Sequence, residues 1–190
     1  RVAIVTKKDR AESNTNYAQG GVAAVMSSVD SFDLHIKDTL STGQGISHRE
    51  AVETMVKEGP ARLRELIQIG VEFTEKNGAL DLGREGGHSV NRIVHAKDLT
   101  GREIERALLH AAATNPNIAT FENHVAIELL TEHHTVDERV IDRSHIHCWG
   151  AYALNEREHR VDTFLTKVVM LSTGGLGHVY LHTTNPLIAT

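Results

Sequence analysis

The chain has 190 residues, 40% of them hydrophobic and 24% charged, with a formal net charge of -5, which is enough to bury one sizeable core. Its acidic and basic residues are interspersed and form no basic stripe, which argues against nucleic acid as the main partner. No apolar run approaches the roughly 20 residues of a membrane span, no signal peptide is visible, and the single cysteine, Cys148, excludes an internal disulfide and fits a reducing, cytoplasmic setting.

Taken in chain order, residues 1–6 read as a buried central strand that delivers Thr6, Lys7, Lys8 and Asp9 at its carboxyl end, where open α/β sheets hold ligands. Residues 13–21 follow, with Asn14, Thr15, Asn16, Tyr17, Ala18 and Gln19 leading into Gly20 and Gly21. Short polar side chains beside two glycines let backbone N–H groups approach a flat or anionic ligand with no Cβ between them. A polar surface loop with a Gly-Gly turn is the alternative.

Asp30 or Ser31 can cap a helix whose Phe32, Ile36 and Leu40 recur at four-residue spacing and which ends at residues 43–45. Residues 47–50 form the pattern of a capping box. Val52, Met55 and Val56 give the next buried stripe, Gly59-Pro60 breaks or kinks the helix, and Leu63, Leu66 and Ile67 carry it to Gly70. A short strand at 71–73 precedes the polar loop 84–89, which places Arg84, Glu85 and His88 around Gly86-Gly87. A second capping box at 100–103 opens a helix with Ile104, Ala107, Leu108 and Ala111 toward a core, stopping at Asn115-Pro116. The period then becomes strand-like: runs at 125–130, 148–154 and 167–171 are expected to form a small antiparallel meander and a return strand. His145, His147 and Cys148 invite a zinc reading, but no further pair has the usual spacing and a half-exposed strand explains them. His133 and His134 are expected in solvent. His88 has no Ser/Asp partner signature for nucleophilic catalysis.

Three blocks, residues 14–21, 84–103 and 171–186, resemble in that order the L-aspartate oxidases and their relatives, the succinate dehydrogenase and fumarate reductase flavoproteins. The middle one, similar to the R-E-G-G-H-S … H-A-x-D-x-T-G-x-E signature of the aspartate oxidases, discriminates among them. The resemblance implies an α/β fold: a partial FAD-binding Rossmann-like domain, a parallel sheet with helices plus a small antiparallel meander, truncated at both ends. The first βα unit with G-x-G-x-x-G and the capping domain are expected to lie outside residues 1–190. It also implies FAD contacts at Lys7, Asn14, Thr15, Asn16, Tyr17, Ala18, Gln19, Gly20, Gly21, Val125, Ala126, Thr173 and Gly174, and no metal. Thr6-Lys7 stands where many dinucleotide folds have a ribose-binding acid. Asn14 stands where the membrane-complex flavoproteins carry a flavin-linked histidine, so FAD is expected to be held non-covalently. Amides of Gln19, Gly20 and Gly21 would stabilise the anionic reduced flavin.

The implied activity is oxidation of L-aspartate to iminoaspartate, with oxygen or fumarate as acceptor, as the first step of de novo NAD biosynthesis, and with possible coupling to quinolinate synthase. Glu85 would face the substrate amine, a charge-assisted contact of about 1.5–3 kcal/mol, and would disfavour succinate, which has no amine. A succinate or fumarate flavoprotein and a non-catalytic nucleotide-binding domain are the alternatives. Residues 1–190 alone are expected to be inactive and to bind FAD weakly or not at all.

Overall fold

A computed structural model describes residues 1–97, 99–134 and 146–189. In chain order the elements are β1 (Val2–Thr6), a 3-10 turn (Thr15–Tyr17), β2 (Val22–Ala23), α1 (Phe32–Thr42), α2 (Arg49–Ile69), β3 (Glu75–Lys76), β4 (Ala79–Leu80), β5 (Leu82–Gly83), β6 (Ile93–Val94), α3 (Thr100–Thr114), β7 (Ile118–Glu122), β8 (His124–Thr131), a 3-10 turn (Glu132–His134), β9 (Cys148–Asn155) and β10 (Arg160–Leu165). They group into two compact units, one of Asn14–Ala111, the other of Arg1–Ser13 with Ala112–Thr190. The fold is α/β with parallel and antiparallel pairing.

In the Asn14–Ala111 unit, α1 begins as its sequence predicts. Ser31 is the N-cap and its Oγ accepts from the Leu34 amide at 3.2 Å. Ile36 packs with Val52 and Val56 of α2, while Ala24, Leu63 and Val94 form a second apolar cluster beneath the small sheet β2-β6-β5. The helix α2 differs from expectation at both its start and its middle. His48, not Ser47, is the N-cap and makes no side-chain cap bond. Pro60 neither breaks nor ends the helix, which continues unbroken to Ile69. Its ring lies on the buried stripe with Val52, Val56 and Leu63, so packing offsets the missing amide and the crowding, about 3 kcal/mol in an exposed helix. Met55 and Ile67, expected on that stripe, are exposed. Gly70, at φ 106°, closes α2, and the Val71 amide returns to the Leu66 carbonyl in a Schellman arrangement.

Residues 71–73 form no strand; Val71 is instead buried by the turn that follows α2. The capping box at 100–103 is not made either. Thr100 Oγ1 accepts from the Ala96 amide, and the Glu103 carboxylate takes the Glu72 amide at 2.9 Å and pairs with Arg106. Of these partners only the Glu72 amide is distant, the other two lying within one helical turn. Ala107 is buried on α3 and Leu108 is exposed.

In the other unit, β1 runs parallel to β7 from Val2↔Ile118 to Thr6↔Glu122, and β10-β9-β8 form an antiparallel meander. The side chains of β1 are exposed rather than buried, Val2 at 55%, because its main neighbours within the unit are β7 and β8. Phe121 and Phe164 meet edge to face at 4.9 Å. Gly150 allows β9 to approach β10 closely, since a Cβ there would enter the Phe164 carbonyl. Residues 167–171, expected as a return strand, form no strand, and the third strand of the meander is β10. The Thr166 amide makes the last rung to the Trp149 carbonyl, its hydroxyl then donates to the Val168 carbonyl, and the chain leaves the sheet with Val168, Met170 and Leu171 exposed.

Candidate functional site

The Asn14–Ala111 unit brings the first two sequence blocks together. Residues 14–18 wind through the 3-10 turn, with the Ala18 amide donating to the Thr15 carbonyl. The Gly101 amide at the start of α3 donates to the Ala18 carbonyl at 3.0 Å. A Cβ on Gly101 would enter the Thr15 carbonyl and the Ala18 methyl, so only glycine lets α3 seat against this turn. In the sequence Gly101 reads as part of a helix start and of the family-like signature, with no sign of this contact.

Gln19, Gly20 and Gly21 then cross to β2 along an exposed ledge. A Cβ on Gly21 would enter the Ile93 side chain and the Val94 carbonyl, which fixes the ledge against β6. Above Gly20 the space ends at Glu85: a Cβ there would stand 3.6 Å from Glu85 Oε1. The Gln-Gly-Gly segment and the acid of the 84–89 loop, 65 positions apart by numbering (85 − 20), therefore share one small patch. A flat ring needs a wall without side chains, and this ledge supplies one with a carboxylate at its rim.

The 84–89 loop is held from below by a buried ionic network that the sequence did not announce. Arg92, 0% exposed, sends Nε and Nη2 to the two oxygens of Asp30 at 3.0 and 2.9 Å, and Nη1 to Asp38 Oδ2 at 2.9 Å. Asp38 also accepts from the Ser89 amide at 2.7 Å and from the Ser89 hydroxyl at 2.6 Å. Burial pushes the Asp38 carboxyl up, but the Ser89 bonds and the Arg92 guanidinium together hold it below its ordinary value. His35, 4% exposed, has its pKa lowered by burial first and by Arg92 second. Its ring meets His88 edge-on at 6.1 Å, and the Nδ1 atoms of both are buried without a hydrogen-bond partner among the described residues. The available signal was an arginine directly ahead of the apolar pair Ile93-Val94.

The other unit carries the remaining expected contacts. Lys7 follows β1, and Val125 and Ala126 lie on β8 facing Leu154 and Ala153 of β9. Thr173 and Gly174 lie in an exposed segment without regular secondary structure, where Gly174 takes φ 76°. His124 Nε2 meets Asp162 at 3.1 Å and its Nδ1 the Glu122 carbonyl at 2.7 Å, a satisfied structural pair. His133 and His134 are exposed yet engaged, with Thr131 and Glu128. His145 lies outside the described residues. His147 pairs with Glu132 and stacks on Trp149, while the Cys148 thiol meets the Gly150 carbonyl. Among the described residues no group of three or more His, Cys, Asp or Glu could hold a metal ion, and no helix is long and apolar enough to cross a membrane.

Against known proteins, residues 1–190 match the family described as FAD binding domain. The chain is 49% identical over 190 residues to L-aspartate oxidase 2-b, chloroplastic, of Nicotiana tabacum, covering 100% of this chain and 28% of that one. It is 40% identical over 195 residues to the L-aspartate oxidase of Acinetobacter baylyi, covering 100% and 34%. Among solved structures it superposes on a mutant of E. coli quinol fumarate reductase FrdA with a TM-score of 0.86 at 29% identity, over 98% of this chain and 30% of that one. Mycobacterium smegmatis Sdh1 in complex with UQ1 gives 0.86 at 27%, over 100% and 32%. The chain thus spans 28–34% of the length of these curated relatives.

Proposed function

Because the chain belongs to the FAD binding domain family, with FAD as its cofactor, we propose that the whole protein oxidises L-aspartate to iminoaspartate, the first step of de novo NAD biosynthesis. The observation that carries this is the Glu85 carboxylate at the rim of the Gly20-Gly21 ledge. FAD, when bound, supplies the two-electron acceptor. Residues 14–21 bear the cofactor: Gly20 and Gly21 present a wall without Cβ atoms, and amides of 19–21 offer N–H dipoles to negative charge on the flavin ring. Asn14 has no nucleophilic nitrogen for a covalent flavin link, which supports non-covalent binding. Lys7, Val125, Ala126, Thr173 and Gly174 are assigned to the cofactor on family likeness alone.

Glu85 orients the substrate by its ammonium. An exposed carboxylate beside the ledge attracts a cationic amine and repels a plain dianion, so one group both holds aspartate and disfavours succinate. Oxygen or fumarate is the acceptor of this reading, and a quinolinate-forming partner such as quinolinate synthase would take the product, whose imine is reactive in water. The lone cysteine supports a reducing compartment, the cytoplasm; the plant relatives carry "chloroplastic" in their names. The test is Glu85→Gln in the full-length holoprotein. The KM for L-aspartate should rise about tenfold or more, from loss of one charge-assisted contact, with succinate inhibition unchanged or stronger. Equal losses for both diacids would remove Glu85 from amine recognition and favour a reading in which a plain dicarboxylate is the substrate.

A further inference from the structure

One face of α1 grips the Glu85 loop at three successive points. His35, Asp38 and Thr42 follow one another at spacings of three and four, so they line a single side of the helix. His35 meets the ring of His88, Asp38 takes both the amide and the hydroxyl of Ser89, and Thr42 lies where a Cβ on Gly87 would go. Between them the chain turns tightly: the His88 amide donates to the Glu85 carbonyl at 3.2 Å, and Gly87 takes φ 90°, the left-handed conformation that such a turn assigns to its third residue. Glu85 is the first residue of that turn. Its carbonyl is fixed by His88, and the far end of the turn is fixed by Asp38.

We infer that Asp38 and Ser89 are positioning residues for amine recognition: the bonds between them hold the 85–88 turn so that the Glu85 carboxylate stays at Gly20. The inference rests on the role assigned to Glu85 above. Glu85 itself is exposed, so its place depends on the backbone beneath. Arg92 fixes Asp38 in turn, and Asp30 fixes Arg92. A rigid, buried base under an exposed acid makes the acid's location a property of α1 rather than of a loose loop. Selectivity that depends on one carboxylate tolerates little displacement, since misplacing a contact by about 1 Å can cost on the order of a hundredfold.

The experiment uses the full-length holoprotein and four variants, Ser89→Ala, Ser89→Thr, Gly87→Ala and Glu85→Gln, with KM for L-aspartate, Ki for succinate, kcat and melting temperature measured for each. Ser89→Ala should raise the aspartate KM about threefold to tenfold and leave the succinate Ki within about twofold, and Ser89→Thr, which keeps the hydroxyl, should restore the wild-type ratio. Gly87→Ala, strained at positive φ and crowded against Thr42, should shift the same ratio in the same direction. Parallel losses for aspartate and succinate that track the melting temperature would overturn the inference, as would an unchanged ratio in Ser89→Ala while Glu85→Gln shows a large one. An unchanged ratio in Glu85→Gln would overturn the reading of Glu85 itself, and the inference with it.

Discussion

Replacing Arg92 by leucine removes the cation between two buried carboxylates. The wild-type side chain makes three charge-assisted bonds of 2.9–3.0 Å, two to Asp30 and one to Asp38, and no part of it reaches solvent. Leucine fills much of the volume but answers neither acid. Breaking a buried pair from one side costs about 3–5 kcal/mol, a large share of the roughly 5–15 kcal/mol by which a typical domain is stable. The partners that remain, the Ser31 amide for Asp30 and Ser89 for Asp38, keep the loss within that range. Urea unfolding of the FAD-loaded full-length protein measures it, as a lower midpoint at constant slope. Arg92→Lys should fall between the two, because an ammonium keeps the charge but lacks the fork that spans both oxygens of Asp30. Adding Asp38→Asn to Arg92→Leu should recover part of the loss, the signature of direct coupling. A loss below about 1 kcal/mol, typical of an exposed pair, would refute the claim that this network underpins the unit.

Gly21→Ala should cost about 1–3 kcal/mol, because its Cβ must displace the Ile93 side chain or the Val94 carbonyl, and should also lower retained flavin, read from the visible absorbance of purified protein. Acid should weaken the protein in two stages. The lowered pKa of His35 means the unfolded chain binds the proton first, so stability falls as pH drops below the ordinary histidine value of about 6.5 and levels off below the depressed folded value. The lowered pKa of Asp38 gives stability that is present above the ordinary aspartate value of about 3.9 and is lost as pH falls through the folded value. His35→Gln should erase the upper stage and leave the lower one in a pH series of unfolding curves; an unaltered upper stage would contradict the assignment.

Local signals were legible in the sequence and long-range ones were not. Ser31 caps α1 and Gly70 ends α2 because each acts on amides or carbonyls within a few residues, and the apolar runs at 125–130 and 148–154 became β8 and β9. The capping box at 100–103 failed because its side chains found other partners: Glu103 went to Arg106 one turn on and to the distant Glu72 amide, Thr100 to the Ala96 amide four residues back. Pro60 does not break α2, where its buried ring packs on the same stripe as Val56 and Leu63. The run 167–171 is apolar enough for a strand, but the expected return strand does not form and its Val168, Met170 and Leu171 are exposed. At the site, Glu85 and the Gln19-Gly20-Gly21 ledge were singled out by their resemblance to the aspartate oxidase motifs; composition alone reads both as polar glycine turns. Asp30, Asp38 and Arg92 did not stand out: Asp30 reads as a candidate helix cap and the other two as ordinary charges until the fold brings them together across more than 50 positions.

The most direct measurement is a structure of the full-length holoprotein with an unreactive amino dicarboxylate bound. Glu85 should lie within about 3 Å of the ligand's ammonium, with the flavin ring against Gly20 and Gly21 and the bonds from Ser89 to Asp38 intact. A flavin seated on some other surface, or an ammonium held elsewhere with Glu85 turned to solvent, would contradict the assignment.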